Sequence, residues 1–117
     1  MMIRRTFAFS GSILFCALLT VGVSAAQKGK AGDAAKGKET FESQNCAMCH
    51  NVDNPEKKMG PSLQGLFKRK TLQNGKPVND ANVLTQIKEG GNGMPPYPDE
   101  QVSADEKANL LAYLHTL

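Results

Sequence analysis

The chain has 117 residues, with 14 Lys or Arg against 11 Asp or Glu, three cysteines, two histidines and no tryptophan. At roughly 100–200 residues per domain there is room for one domain, which excludes a multi-site enzyme, a transporter and a long repeat array. Three cysteines also exclude a disulfide-dense scaffold, which needs an even set of four or more.

The first 26 residues differ from the rest. Arg4 and Arg5 precede an uncharged apolar run from Phe7 to Val23, and Ser24, Ala25 and Ala26 close it. This layout predicts a secretory signal peptide over 1–26, cleaved after Ala25 or Ala26, and hence a periplasmic protein. The competing reading is a retained membrane anchor, because the 20 residues from Phe7 to Ala26 just reach the length that spans a bilayer. Cys16 follows Phe15 inside the apolar run, so it reads as filler rather than as a lipidation site. Removal of the leader leaves 12 basic and 11 acidic side chains. So nearly neutral a domain gives no electrostatic case for nucleic-acid binding, and once the leader is gone no stable membrane insertion is expected.

Residues 27–32 are Lys, Gly and Ala with one Gln, a flexible lead-in. From Asp33 to about Asn45 the positions Ala34, Gly37, Phe41 and Asn45 recur at near-helical spacing, with Asp33 able to cap. Next comes Cys46-Ala47-Met48-Cys49-His50, the C-x-x-C-H spacing that attaches c-type haem. Cysteines three apart share one side of a helical turn, so both sulfurs can add to the vinyl groups on one porphyrin edge. The adjacent imidazole then meets the iron from one face. A thioredoxin-like dithiol would need βαβ elements, which are missing. Tetrahedral zinc would need four ligands, and Cys49 and His50 as neighbours would chelate poorly.

Asn51 to Met59 is polar loop, punctuated by Gly60-Pro61. Leu63, Leu66 and Phe67 suggest a short helical turn within 62–70, and Asn74-Gly75 marks a turn or hairpin in 71–79. A helix is predicted over Asp80–Glu89, stopped by Gly90. Gly90 to Pro98 holds three glycines and three prolines and is expected to be irregular. Ser103 and Glu106 form a capping box for a last helix reaching about Thr116, with a stripe of Lys107 (stem only), Leu110, Leu111 and Leu114. His115 is expected in solvent at its end. Three short helices supply a thin core, so a cofactor must fill the middle. Beyond the leader, Met48, Met59 and Met94 compete for the second face of the iron. Met48 sits within the attachment motif and cannot reach round. Met94 lies in a loop between two helices, and a loop can carry a thioether across that face.

From Gly32 to Leu117 the chain resembles the small soluble bacterial cytochromes c, the single-haem kind with His/Met ligation. The resemblance rests on Gly32-Asp33, Gly37 and Phe41, on Cys46 to His50, and on Gly60-Pro61-x-Leu63-x-Gly65-Leu66-Phe67-x-Arg69-Lys70-Thr71. It continues through Gly93-Met94-Pro95 and Leu110-Leu111-Ala112-Tyr113-Leu114. It implies an all-α cytochrome c fold over 33–117, with three to four short helices and Gly/Pro-rich loops wrapped around one covalent haem c. It implies Cys46 and Cys49 as attachment points and His50 and Met94 as iron ligands. Pro61 would accept the imidazole N–H of His50, and Arg69 would meet a haem propionate. Gly37 and Phe41 would face Leu110 and Tyr113. Lys57, Lys58, Lys68, Lys70, Lys76 and Lys88 would either ring the haem edge for docking or simply be solvated.

The expected function is one-electron transfer by a monomer between redox partner proteins, a reductase upstream and an oxidase or other acceptor downstream. The alternatives are a cytochrome subunit of a larger oxidoreductase complex and a haem enzyme such as a peroxidase. The enzyme needs an open iron and a distal acid or base, and none is evident.

Overall fold

The computed structural model describes residues 31–117; the predicted signal peptide over 1–26 and residues 27–30 of the predicted lead-in lie outside the described residues. Among the described residues three helices form: α1 (Ala34–Ser43), α2 (Asp80–Glu89) and α3 (Ala104–Leu114). Single 3₁₀ turns occur at Cys46–Met48 and Leu66–Lys68. Among the described residues β-pairing is limited to two isolated bridges, Thr71 with Pro77 and Gly91 with Met94. This is the all-α cytochrome c fold.

Each helix starts on a side-chain cap. The Asp33 carboxylate accepts from the amides of Ala35 (2.9 Å) and Lys36 (3.2 Å), and Asn79 accepts from Asn82 at 2.8 Å. At α3 the Glu106 carboxylate accepts from the Ser103 amide at 2.8 Å while Ser103 Oγ accepts from the Glu106 amide at 3.3 Å. These bonds satisfy amides that the first helical turn leaves free. Helix α1 ends earlier than its periodicity predicts. Asn45 takes a left-handed backbone (φ 57°), which turns the chain straight into the Cys46–Met48 turn.

Helices α1 and α3 meet backbone to backbone. A Cβ on Gly37 would fall 1.9 Å from the Asn109 carbonyl oxygen, and one on Gly32 would fall 2.0 Å from that of Ala108. The Phe41 ring meets Tyr113 edge-on, with centroids 5.5 Å apart. Asn109 Oδ1 accepts from the Asp33 amide at 2.8 Å. Phe41, Leu66, Val83, Ile87, Leu110 and Leu114 form the buried core.

One expectation changes and two gain detail. Lys107 is buried to its tip, only 4% exposed, and its Nζ donates to Asp99 at 2.7 Å. The stripe therefore includes the ammonium group, which the sequence left in solvent. His115 is exposed at the end of α3, as expected, but it has partners. Its ring stacks on Phe67 (centroids 3.6 Å, 16° between planes), and Nε2 donates to Asp80 at 2.8 Å. Gly90–Pro98 holds no helix or named strand, as expected, but it begins with a tight, well-defined turn. Gly91 and Met94 exchange backbone hydrogen bonds of 2.9 and 3.0 Å, with Asn92 (φ 53°) and Gly93 (φ 87°) between them. Positive φ at both central residues is the type I′ turn that Asn-Gly favours. The Asn74-Gly75 turn forms as well, with the Leu72 amide donating to Lys76 at 2.8 Å.

Candidate haem site

The core closes around a cavity of about 350 Å³. Cys46, Cys49, His50, Pro61 and Met94 all line it, together with Phe41, Leu63, Leu66, Val83, Ile87, Leu110 and Leu114. Residues from all three helices and both long loops thus face one apolar chamber. Five of the six residues singled out from the sequence come together here, although Cys46 and Met94 are 48 positions apart.

His50 is fixed by the loop that follows it. Its Nδ1 lies 2.7 Å from the Pro61 carbonyl oxygen. A carbonyl can only accept, so the proton sits on Nδ1 and the lone pair on Nε2 is left for a metal. The Gly60 backbone lies flat on the ring, since a Cβ there would be 2.5 Å from Cε1. The Gly60 amide donates to Cys49 and that of Leu63 to Asn51, both at 2.8 Å, lacing this loop to the attachment motif. Buried Ser62 adds a 2.6 Å bond from Oγ to the Asn54 carbonyl. Both Cys46 and Cys49 are free thiols, half-buried. Burial pushes the Cys46 thiol above the usual range, with a smaller contribution from the nearby Cys49.

Met94 is half-buried and packs against the core. Gly90 makes its turn possible, because a Cβ there would meet the Met94 carbonyl oxygen at 2.5 Å. The Tyr97 amide then donates to Ile87 in α2 at 2.9 Å. Gln86 ties the two turns together: its Oε1 accepts from Asn74 and its Nε2 donates to Gly90. The sequence reading missed Gln86 and Asp99. The glycine directly after α2 was visible as a helix stop, but not as the neighbour of Met94. Met48 and Met59 are 71% and 79% exposed, although Met59 borders the cavity.

Arg69 is the residue of the expected set that the cavity does not include. Its Nη2 donates to the carbonyls of Ser62 and Gln64, each at 2.7 Å, so the guanidinium braces the loop over His50. The six lysines of the supposed ring are all exposed. Two are engaged: Lys58 Nζ donates to the Ala47 carbonyl and Lys88 Nζ to Asp99.

The donor set decides which group fits. Among the described residues no three His, Cys, Asp or Glu side chains gather to hold a bare metal ion. An apolar chamber with two free thiols and one spare imidazole nitrogen on its wall suits a flat, largely apolar macrocycle that brings its own iron. The domain is a c-type cytochrome, and its cofactor is covalently bound haem c. Residues 32–114 match the family described as cytochrome c oxidase, cbb3-type, subunit III, and the chain belongs to that cytochrome c family. It is 34% identical over 86 residues to a cytochrome c-553-like protein of Synechocystis, covering 74% of this chain and 70% of that one. It is 32% identical over 89 residues to cytochrome c oxidase subunit 2 of Alkalihalophilus pseudofirmus, covering 72% of this chain and 25% of the relative. A cytochrome bc1 complex cytochrome c subunit of Corynebacterium diphtheriae is 33% identical over 82 residues, covering 70% and 26%. The chain therefore spans about a quarter of the length of these two larger relatives. Electron transfer is the function this family supports.

Proposed function

We propose that this domain is an exported one-electron carrier in which Cys46 and Cys49 would hold the haem and His50 and Met94 would supply its iron with a nitrogen and a sulfur. Bound haem supplies a one-electron couple, and a thioether ligand favours the reduced iron, so the potential is fairly positive. The observation that carries the reading is the His50–Pro61 bond at 2.7 Å in a cavity that Met94 also lines. It leaves one imidazole nitrogen and one thioether for the metal. Pro61 would orient His50, and Arg69 would hold the loop that presents Pro61. With His50 and Met94 both given to the iron, no ligand position would be left for a substrate, which supports a carrier over an enzyme.

The partners are a reductase and an oxidase or other acceptor, met by a monomeric shuttle. The similarity to a c-553-like protein covers most of both chains, which supports a carrier that acts by itself. The names of the oxidase and bc1 relatives favour a second reading, a cytochrome subunit of a larger complex. Carbon monoxide tests the closed iron: the reduced native protein should bind it slowly or not at all, and Met94→Ala should bind it readily. Gel filtration of native extract separates the shuttle from the subunit, since a subunit elutes with a large complex.

A further inference from the structure

The loop from Gly90 to Val102 carries Met94 from α2 to α3, and its far half is pinned by charge. One Asp99 carboxylate oxygen accepts from Lys107 in α3 at 2.7 Å, and the other accepts from Lys88 in α2 at 2.6 Å. One loop carboxylate thus grips both helices. The Lys107 side chain is almost fully buried, so its ammonium has little water to turn to and depends on Asp99. Next to this grip Val102, 1% exposed, plugs the loop into the interior, with its amide donating to the Pro98 carbonyl at 3.0 Å.

Between Met94 and Asp99 the sequence is Pro95-Pro96-Tyr97-Pro98. Three prolines fix three φ angles, so this strut absorbs little of a displacement at its end. The Tyr97–Ile87 bond adds a single rung midway. A neutral thioether is a weak ligand, and its hold on a metal depends on being presented in place.

We propose that Asp99, gripped by Lys88 and Lys107, is a positioning residue for Met94: the clamp sets the far end of the proline strut and so keeps the thioether on the iron. This rests on Met94 being the ligand.

Imidazole added to the ferric holoprotein competes with Met94 and reads how firmly the thioether is held. Lys107→Met replaces the buried ammonium with an apolar chain of similar length, and Asp99→Asn removes the charge from the clamp. Each should bind imidazole about tenfold more tightly than the native protein, the scale of one lost charge-assisted hydrogen bond. Asp99→Glu should restore part of the difference. Far-UV circular dichroism at the titration temperature should show unchanged helix content. Lys88→Met alters only the exposed arm of the clamp and keeps the test decisive if the buried variants fail to fold; it should shift affinity in the same direction by about threefold. Native imidazole affinity in the foldable variants overturns the proposal, even if their thermal stability falls. Failure of the underlying reading looks different: Met94→Ala would then retain the native sulfur-to-iron absorption band.

Discussion

Gly60 rests on the imidazole of His50, with room for no side chain: a Cβ there would lie 2.5 Å from Cε1 and 2.8 Å from Nδ1. The same loop supplies the Pro61 carbonyl, which accepts a hydrogen bond from the ring's Nδ1–H at 2.7 Å. Gly60→Ala must therefore either push the ring off the carbonyl or move the loop. Overpacking of this kind costs about 1–3 kcal/mol. The expected outcome is a lower yield of holoprotein and a lower melting temperature, by about 4–8 °C per kcal/mol for a domain of this size. The haem-proximal proton resonances of the ferric protein should shift, and unchanged spectra would mean that Gly60 does not set the ring's position.

Met94 and Met59 can be separated by substitution. Met94→Ala should abolish the weak sulfur-to-iron absorption of the ferric protein and lower the potential, because a thioether favours reduced iron. Met59→Ala, at a side chain 79% exposed, should leave both intact. The reverse pattern would move the ligand to the loop before Gly60.

At Gly37 two effects oppose each other. Alanine favours a helix interior over glycine by roughly 0.5–1 kcal/mol. Its Cβ, however, would fall 1.9 Å from the Asn109 carbonyl oxygen, and backbone cannot step aside as a flexible side chain can. The clash should win, so Gly37→Ala is expected to destabilise by about 1–3 kcal/mol, read by thermal melting. A melt equal to or above the native one would show that α1 and α3 can separate without loss.

Acid should loosen the Asp99 clamp. Hydrogen bonds from Lys107 and then Lys88 hold the Asp99 carboxyl down to about 2, below its ordinary 3.8. The folded value is the lower one, so its stabilising contribution is complete above about pH 4 and is lost as pH falls through about 2. A far-UV titration over that window should show the native protein losing stability to acid more steeply than Asp99→Asn. Asp99 is half exposed, so added salt should shrink the difference. Parallel acid profiles would remove the clamp from the acid response.

Much of this protein is written in short stretches. The spacing of Cys46, Cys49 and His50 fixes the haem chemistry by itself, because the reach of three side chains on one turn is a local matter. The caps at Asp33 and Ser103 and the stop at Gly90 are equally local, since each satisfies or ends a backbone hydrogen-bond pattern within four residues. The Asn92-Gly93 turn was also there to be read. Counting the glycines and prolines around it hid the one pair that specifies its geometry.

What the sequence alone could not decide is which distant groups meet. Lys107 reads as one more amphipathic stem until Asp99 arrives from the loop eight residues earlier to hold its ammonium inside. His115 reads as a solvated side chain at a helix end until α2 brings Asp80, 35 positions away, to its Nε2. Arg69 is spoken for by two carbonyls that only the folded loop places side by side. The family resemblance anticipated that Gly37 faces α3 and that Cys46 and Met94 share one site, but the backbone-to-backbone closeness at Gly37 follows only from how the helices pack. Helical period and turn chemistry act over a few residues, whereas a polar group's partner depends on which surfaces the whole chain buries together.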